Sequence, residues 1–398
     1  MPKLLNRQIF LLAAFAAITP MAIDMYLPAM PTLAHDLGVN ATSASLSVSV
    51  FFFGVAFGQL IAGPMSDRFG RRPIIISGLF IFIAASIMAS ATTRFDMLLI
   101  ARLAQALGAC AVTVSGRAIV RDRLEPQEAA RLFALLMLIG AIAPILAPSI
   151  GAAITKFGNW RHIFLIMGIG ATLMLVAQIL FLPESRSQET AQHAKDEHPF
   201  ATYFALLTNR KILGYILTAA GNSACIFTYI ANSSPILISG YGISSVQFAI
   251  IFTANSIGLV IANQYNRHQL KTKNIDEMLK RSGISAIVFA CMFLVFAFTN
   301  FGGFISLILL LFFVVASSAI VQANALAGAL SVDDKRSGSV SALYGAATFF
   351  AGTLASSAAA YLENGKGSGM SIIMTICLLV CAGAIFLIIA PSKKAKEV

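Results

Sequence analysis

Twelve stretches of about twenty apolar residues recur along the chain, near 7–28, 43–64, 73–92, 96–118, 129–152, 161–182, 211–235, 245–265, 281–299, 303–329, 338–362 and 369–390. Each is long enough to cross a hydrocarbon layer about 30 Å thick as a helix, the form that satisfies its own backbone polar groups. Of the 398 residues, 58% are hydrophobic and 11% charged, and mean hydropathy is +0.82. A soluble domain carries about 25% charged residues. The chain therefore reads as a polytopic all-α membrane protein. Lys3 and Arg7 ahead of the first run imitate a signal peptide, but the apolar run continues past Met21 into Asp24 and more spans follow. It reads as the first span.

A net charge of +11 suggests nucleic acid until the charges are placed. With twelve spans and the N-terminus inside, twenty-three of the 28 Lys and Arg residues fall on the inner side, from Lys3 and Arg7 through Arg68, Arg71, Arg72, Arg117, Arg121, Arg123 and Arg131 to Lys335, Lys393, Lys394 and Lys396. Only Arg94, Lys156, Arg161 and Lys366 fall outside. That asymmetry predicts cytoplasmic termini and removes the need for a nucleic-acid partner. The cysteines Cys110, Cys225, Cys291, Cys377 and Cys381 all lie in apolar spans and are odd in number. They frame neither a disulfide scaffold nor a metal site.

Residues 183–210 break the pattern of short loops with Pro183, Glu184, Arg186, Glu189, Lys195, Asp196, Glu197 and Pro199. The segment reads as a cytoplasmic linker between two six-helix bundles, 1–182 and 211–398, with His193 and His198 solvated rather than metal-binding. Paired halves of this kind place a substrate site between them near the membrane midplane. The loop Asn263-Gln264-Tyr265-Asn266-Arg267-His268 weakly echoes the earlier loop Gly63 to Pro73.

Asp24, in Ala22-Ile23-Asp24-Met25-Tyr26-Leu27-Pro28, is an acid inside the first span. Such a group costs roughly 3 kcal/mol on insertion scales, so it is a candidate for proton or cation handling. Arg102 lies in the fourth span at a matching depth, within about 3 Å at 1.5 Å per residue, so the two can pair if their helices are neighbours. A static ion pair holding the helices together is the competing reading.

The segment Gly63-Pro64-Met65-Ser66-Asp67-Arg68-Phe69-Gly70-Arg71-Arg72-Pro73 sets one acid among three cations between two closely joined spans. It resembles the signature loop between helices 2 and 3 of the major facilitator superfamily, matching at the glycines, the aspartate and the basic pair. The resemblance implies a cytoplasmic latch in which Asp67 faces the start of helix 11 near Ser337-Gly338-Ser339 and Arg71 or Arg72 meets Asp122. Arg102-Leu103-Ala104-Gln105-Ala106-Leu107-Gly108 resembles that superfamily's arginine motif in helix 4. Gly140, Pro144, Pro148 and Gly151 resemble its helix 5 motif of exchangers, with alanines at some usual glycine positions. Prolines four apart disturb a helix and small residues admit a close neighbour, which suits a rocking interface between halves. Together with Asn159-Trp160-Arg161, these segments resemble the Bcr/CflA-type drug:proton antiporters.

The resemblance implies a twelve-helix, two-bundle exporter of small amphipathic drugs or metabolites in the bacterial inner membrane, exchanging them for protons. It implies no cofactor beyond the proton gradient and no partner beyond substrate, protons and lipid; the fold needs only a monomer. An uptake symporter or a dedicated metabolite or siderophore exporter is the alternative on the same fold. An enzyme is disfavoured because no histidine lies deep in a span beside a second catalytic group. A channel lacks a charged ring or filter loop, and an ATP-driven pump lacks a Gly-rich phosphate loop. Tyr26, Asn222, Asn232, Asn255 and Asn324 are candidate substrate-cavity residues, and Trp160 reads as an interface anchor.

Overall fold

The structure is a computed structural model that describes residues 6–196, 199–333 and 336–389. Lys3, Glu197, His198, Lys335, Lys393, Lys394 and Lys396 lie outside these, as do the side chains of His193, Lys195 and Asp196. Its α-helices are α1 (Asn6–Asp24), α2 (Met30–Asp36), α3 (Ala41–Ala44), α4 (Leu46–Phe69), α5 (Arg71–Ala91), α6 (Phe95–Arg123), α7 (Pro126–Phe157), α8 (Trp160–Phe181), α9 (Gln188–Asp196), α10 (Pro199–Thr208), α11 (Arg210–Ser234), α12 (Ser245–Gln269), α13 (Ile275–Thr299), α14 (Gly303–Val332), α15 (Ser337–Leu362) and α16 (Ser368–Ala384).

Among the described residues, 11 helical segments are long and apolar enough to cross a membrane. The remaining expected span, 338–362, is the 26-residue α15, whose alanines, serines, threonines and glycines leave it less apolar than the rest. The first expected span also differs, because α1 stops at Asp24 and is followed by a turn and a 3-10 turn, Leu27–Ala29. Pro28 explains the stop. It has no N–H to offer the carbonyl four residues earlier, which is that of Asp24 itself.

The chain divides into two compact units, one of Met1–Val39 with Val50–His198 and the other of Asn40–Ser49 with Pro199–Val398. In the first unit α5 packs along α6 and α8, and α1 along α6 and α7. Gly78 of α5 and Gly108 of α6 meet at their crossing, where a Cβ on either would lie 2.9 Å or 2.5 Å from the other's carbonyl oxygen, and such small residues let helix backbones approach where hydrocarbon gives no hydrophobic drive. In the second unit α11 packs against α14, α15 and α16, and Tyr215 of α11 lies against Gly328 of α14. The 183–210 segment, expected as a polar linker, carries α9 and α10, and α10 packs on α11 and α15.

Candidate transport site

Asp24 ends α1 inside the first unit, where its side chain is 3% exposed and its Oδ1 has no hydrogen-bond partner. Arg102, on α6, is fully buried. The expected ion pair between them is absent among the described residues. Arg102 instead donates from Nη1 to Gln105 Oε1 at 2.5 Å, and its guanidinium carbon lies 4.5 Å from the Tyr26 ring centroid, 4.3 Å from that of Phe51 and 5.8 Å from that of Phe164. The break in α1 after Asp24 is the physical reason, since the turn lays the Tyr26 ring against the cation. Desolvated cation–π contacts are worth about 2 kcal/mol or more, so aromatic faces take the place of a carboxylate. Gln105 Nε2 continues the chain to Ser86 Oγ at 2.9 Å. Arg102 Nε and Nη2 have no hydrogen-bond partner among the described residues.

The Gly63 to Pro73 segment forms the second part of the site. Gly70 has φ +108°, and a Cβ there would lie 2.7 Å from Glu184 Oε2, so a side chain would be strained and would displace the Glu184 carboxylate. This glycine makes the turn between α4 and α5. Arg71, 4% exposed, donates to Ser66 Oγ at 2.9 Å and to Asp122 Oδ2 at 3.0 Å and pairs with Asp67 one turn before it. Arg71 rather than Arg72 therefore meets Asp122; Arg72 reaches the Ile179 carbonyl at 3.1 Å.

Three residues just past α8, which no motif had singled out, complete this network. Glu184 accepts from the backbone N–H of Arg71 and of Arg72, both at 3.0 Å, and so caps the N-terminus of α5. Ser185 Oγ donates to Asp122 Oδ2 at 3.1 Å. Arg186 Nη1 donates to the Asp67 carbonyl at 3.2 Å and to the Arg68 carbonyl, at the C-terminus of α4. The acid thus sits at the positive end of one helix and the cation at the negative end of the other. Burial pushes the Glu184 carboxyl up, but the N–H groups of Arg186, Arg72, Arg71 and Ser185 pull it down further, so it lies below its ordinary value of 4.5. The sequence signal was slight, an acid and a base two residues apart after Pro183. Nothing in that spacing shows that the segment folds back onto the α4–α5 turn.

The candidate cavity residues are engaged internally. Asn222 donates to the Ser318 carbonyl at 3.2 Å, Asn232 to the Ser356 carbonyl at 3.2 Å, Asn255 to the Tyr229 hydroxyl at 2.7 Å and Asn324 to Asn266 Oδ1 at 2.8 Å. All four are buried, as is Tyr26. Trp160 is not an interface anchor: it is 1% exposed, stands edge-on to Phe164, and donates from Nε1 to Asp36 Oδ2 at 2.9 Å, with the Arg161 guanidinium over its ring. On α7, Gly140 faces open space, whereas Gly151 lies against the Met25 carbonyl. Among the described residues no cluster of His, Cys, Asp and Glu could hold a metal.

The sequence profile of the Major Facilitator Superfamily matches residues 12–356. The chain is 25% identical to the bicyclomycin resistance protein homolog of Haemophilus influenzae, over 98% of this chain and 97% of that protein. It is 28% identical to the chloramphenicol resistance protein of Pseudomonas aeruginosa, over 84% and 79% respectively. Among solved structures, a D-xylose-proton symporter shares the fold with a TM-score of 0.73 at 13% identity, over 96% of this chain and 97% of that one. These matches agree with the motif-level likeness to Bcr/CflA-type transporters. The chain is a multi-pass membrane transporter rather than an enzyme, and it belongs to the Major Facilitator Superfamily.

Proposed function

We propose that this protein exports a small amphipathic drug or metabolite across the bacterial inner membrane in exchange for protons, with Asp24 as the proton carrier. The observation that carries the reading is a buried carboxyl in the first span with no ion pair among the described residues. An acid locked to a cation is held in one charge state. An acid without that lock can load and release a proton as its surroundings alternate. Arg102, held by Gln105 and aromatic rings, supplies a fixed positive field near the acid's turn rather than a bonded partner. The names of the bicyclomycin and chloramphenicol resistance relatives support the substrate class.

In this reading α15 is the twelfth span, residues 1–182 and 211–398 form two six-helix bundles joined by 183–210, and both termini are cytoplasmic. The protein works as a monomer, with no cofactor beyond the proton gradient. Substrate enters from the cytoplasm or inner leaflet while Asp24 is deprotonated, and a proton arriving from outside releases it. The network of Gly63, Asp67, Arg68, Gly70, Arg71, Arg72 and Asp122 acts as the cytoplasmic latch. Inverted vesicles with an acid interior test the exchange. Phenicols, bicyclomycin or cationic dyes are expected to dissipate the gradient only in vesicles carrying the protein; dissipation driven by co-transport in the opposite sense would overturn the export reading.

A further inference from the structure

We infer that Gly151 is a positioning residue for Asp24, tying the double-proline helix to the turn that carries the acid. This rests on the reading of Asp24 as proton carrier. A Cβ on Gly151 would lie 1.7 Å from the Met25 carbonyl oxygen and 2.8 Å from its carbon. The glycine Cα therefore approaches that oxygen to within about 3.2 Å, given a Cα–C bond of about 1.5 Å, and the contact is of the Cα–H···O kind.

The carbonyl is available for a local reason. Past Asp24 the helical bonding lapses: the Ala29 N–H bonds the Tyr26 carbonyl at 2.9 Å instead of that of Met25. The Met25 oxygen is left facing α7, one residue from the acid. α7 packs on both α1 and the Leu27–Ala29 turn, and Ala147, one turn before Gly151, is fully buried. A shift of α7 is thereby a shift of the peptide next to Asp24. Helix motion and protonation become linked through backbone contact. Titratable groups on the helices packed against α1 include Arg102, Cys110 and Arg117 of α6, Lys156 of α7, and Arg161 and His162 of α8. Among the described residues no hydrogen bond from these groups reaches Asp24 Oδ1, and the turn is the part of its surroundings that α7 touches.

The test compares Gly151→Ala with Gly170→Ala, whose added methyl meets open space on α8, in the full-length protein in inverted vesicles. Gly151→Ala is expected to move the midpoint of the pH profile of drug-triggered proton release by about one pH unit or more, with drug affinity changed less than about threefold. Gly170→Ala is expected to keep the wild-type profile. A wild-type profile for Gly151→Ala, or activity lost in step with drug binding, overturns the inference. Should Gly151→Ala fail to accumulate, Pro28→Ala restores a donor to the Asp24 carbonyl and draws the turn off Gly151. It is expected to shift the same profile, and an unshifted profile overturns the inference equally. If Asp24→Asn itself exchanges like wild type, the underlying reading fails instead, and the two failures stay distinct.

Discussion

Arg71 Nε donates to Asp122 Oδ2 at 3.0 Å, joining the first residue of α5 to the last turn of α6. The same guanidinium holds Ser66 and Asp67 at the end of α4, so one side chain ties three helix ends together.

Removing Arg71 leaves Asp122, whose side chain is 17% exposed, without its cation. Loss of one partner of a buried pair costs about 3 kcal/mol or more. Arg71→Ala is expected to lower the thermal midpoint in detergent and reduce transport at least tenfold. Arg71→Lys is expected to recover less than half of the activity, because an ammonium cannot bridge Ser66, Asp67 and Asp122 as a planar fork does. Full rescue by lysine would show that charge alone matters.

Glu184 gives a pH-dependent prediction. Its carboxyl lies below the ordinary value of 4.5 in the folded protein. A depressed acid contributes stability that is fully present above its unfolded value and is lost as pH falls through its folded value. The difference in melting midpoint between wild type and Glu184→Gln is therefore expected to stay constant from neutral pH down to about 4.5 and to shrink below that. The check is a melting series across pH. A difference that grows on acidification would contradict the capping role.

Much of this architecture was legible beforehand, and the lapses have physical causes. Eleven of the span positions follow from hydropathy among the described residues, since lipid leaves a helix little choice, while the small and polar residues of α15 weaken that signal. Gly70 was legible because a tight turn is a local demand, whereas the meeting of Arg71 or Arg72 with Asp122 came only from the likeness to the superfamily's signature loop, and the structure selects Arg71. The Asp24–Arg102 pair was misread because matching depth says nothing of the turn that Pro28 imposes, nor of the Tyr26, Phe51 and Phe164 rings around the cation. Glu184 and Arg186 were missed because their partners lie over one hundred residues away in sequence. Gln105, three residues after Arg102, could have been found, since that spacing places both on one helix face.

Trp160 is the only tryptophan, so its emission reports on one bond. Asp36→Ala removes the acceptor at 2.9 Å. The emission is expected to move to longer wavelength and to become more accessible to a quencher, whereas Arg161→Lys changes it less. An unchanged spectrum in Asp36→Ala would contradict the buried hydrogen bond.

Asn324→Ala strands the Oδ1 of buried Asn266. An unpaired buried acceptor costs about 1–3 kcal/mol. A lower melting midpoint is expected, with the drug KM within about twofold of wild type, because the amide is spent on the protein. A large rise in KM at unchanged stability would return Asn324 to the substrate cavity.

The central claim is that Asp24 carries the coupled proton, and substrate-triggered proton release from acid-interior inverted vesicles measures it directly on wild type and Asp24→Asn. Collapse of the gradient by a drug with wild type, and no collapse with Asp24→Asn present at equal amount, is the predicted result. Equal exchange by both proteins would contradict it, placing the proton site elsewhere and leaving Asp24 a structural residue at the end of α1.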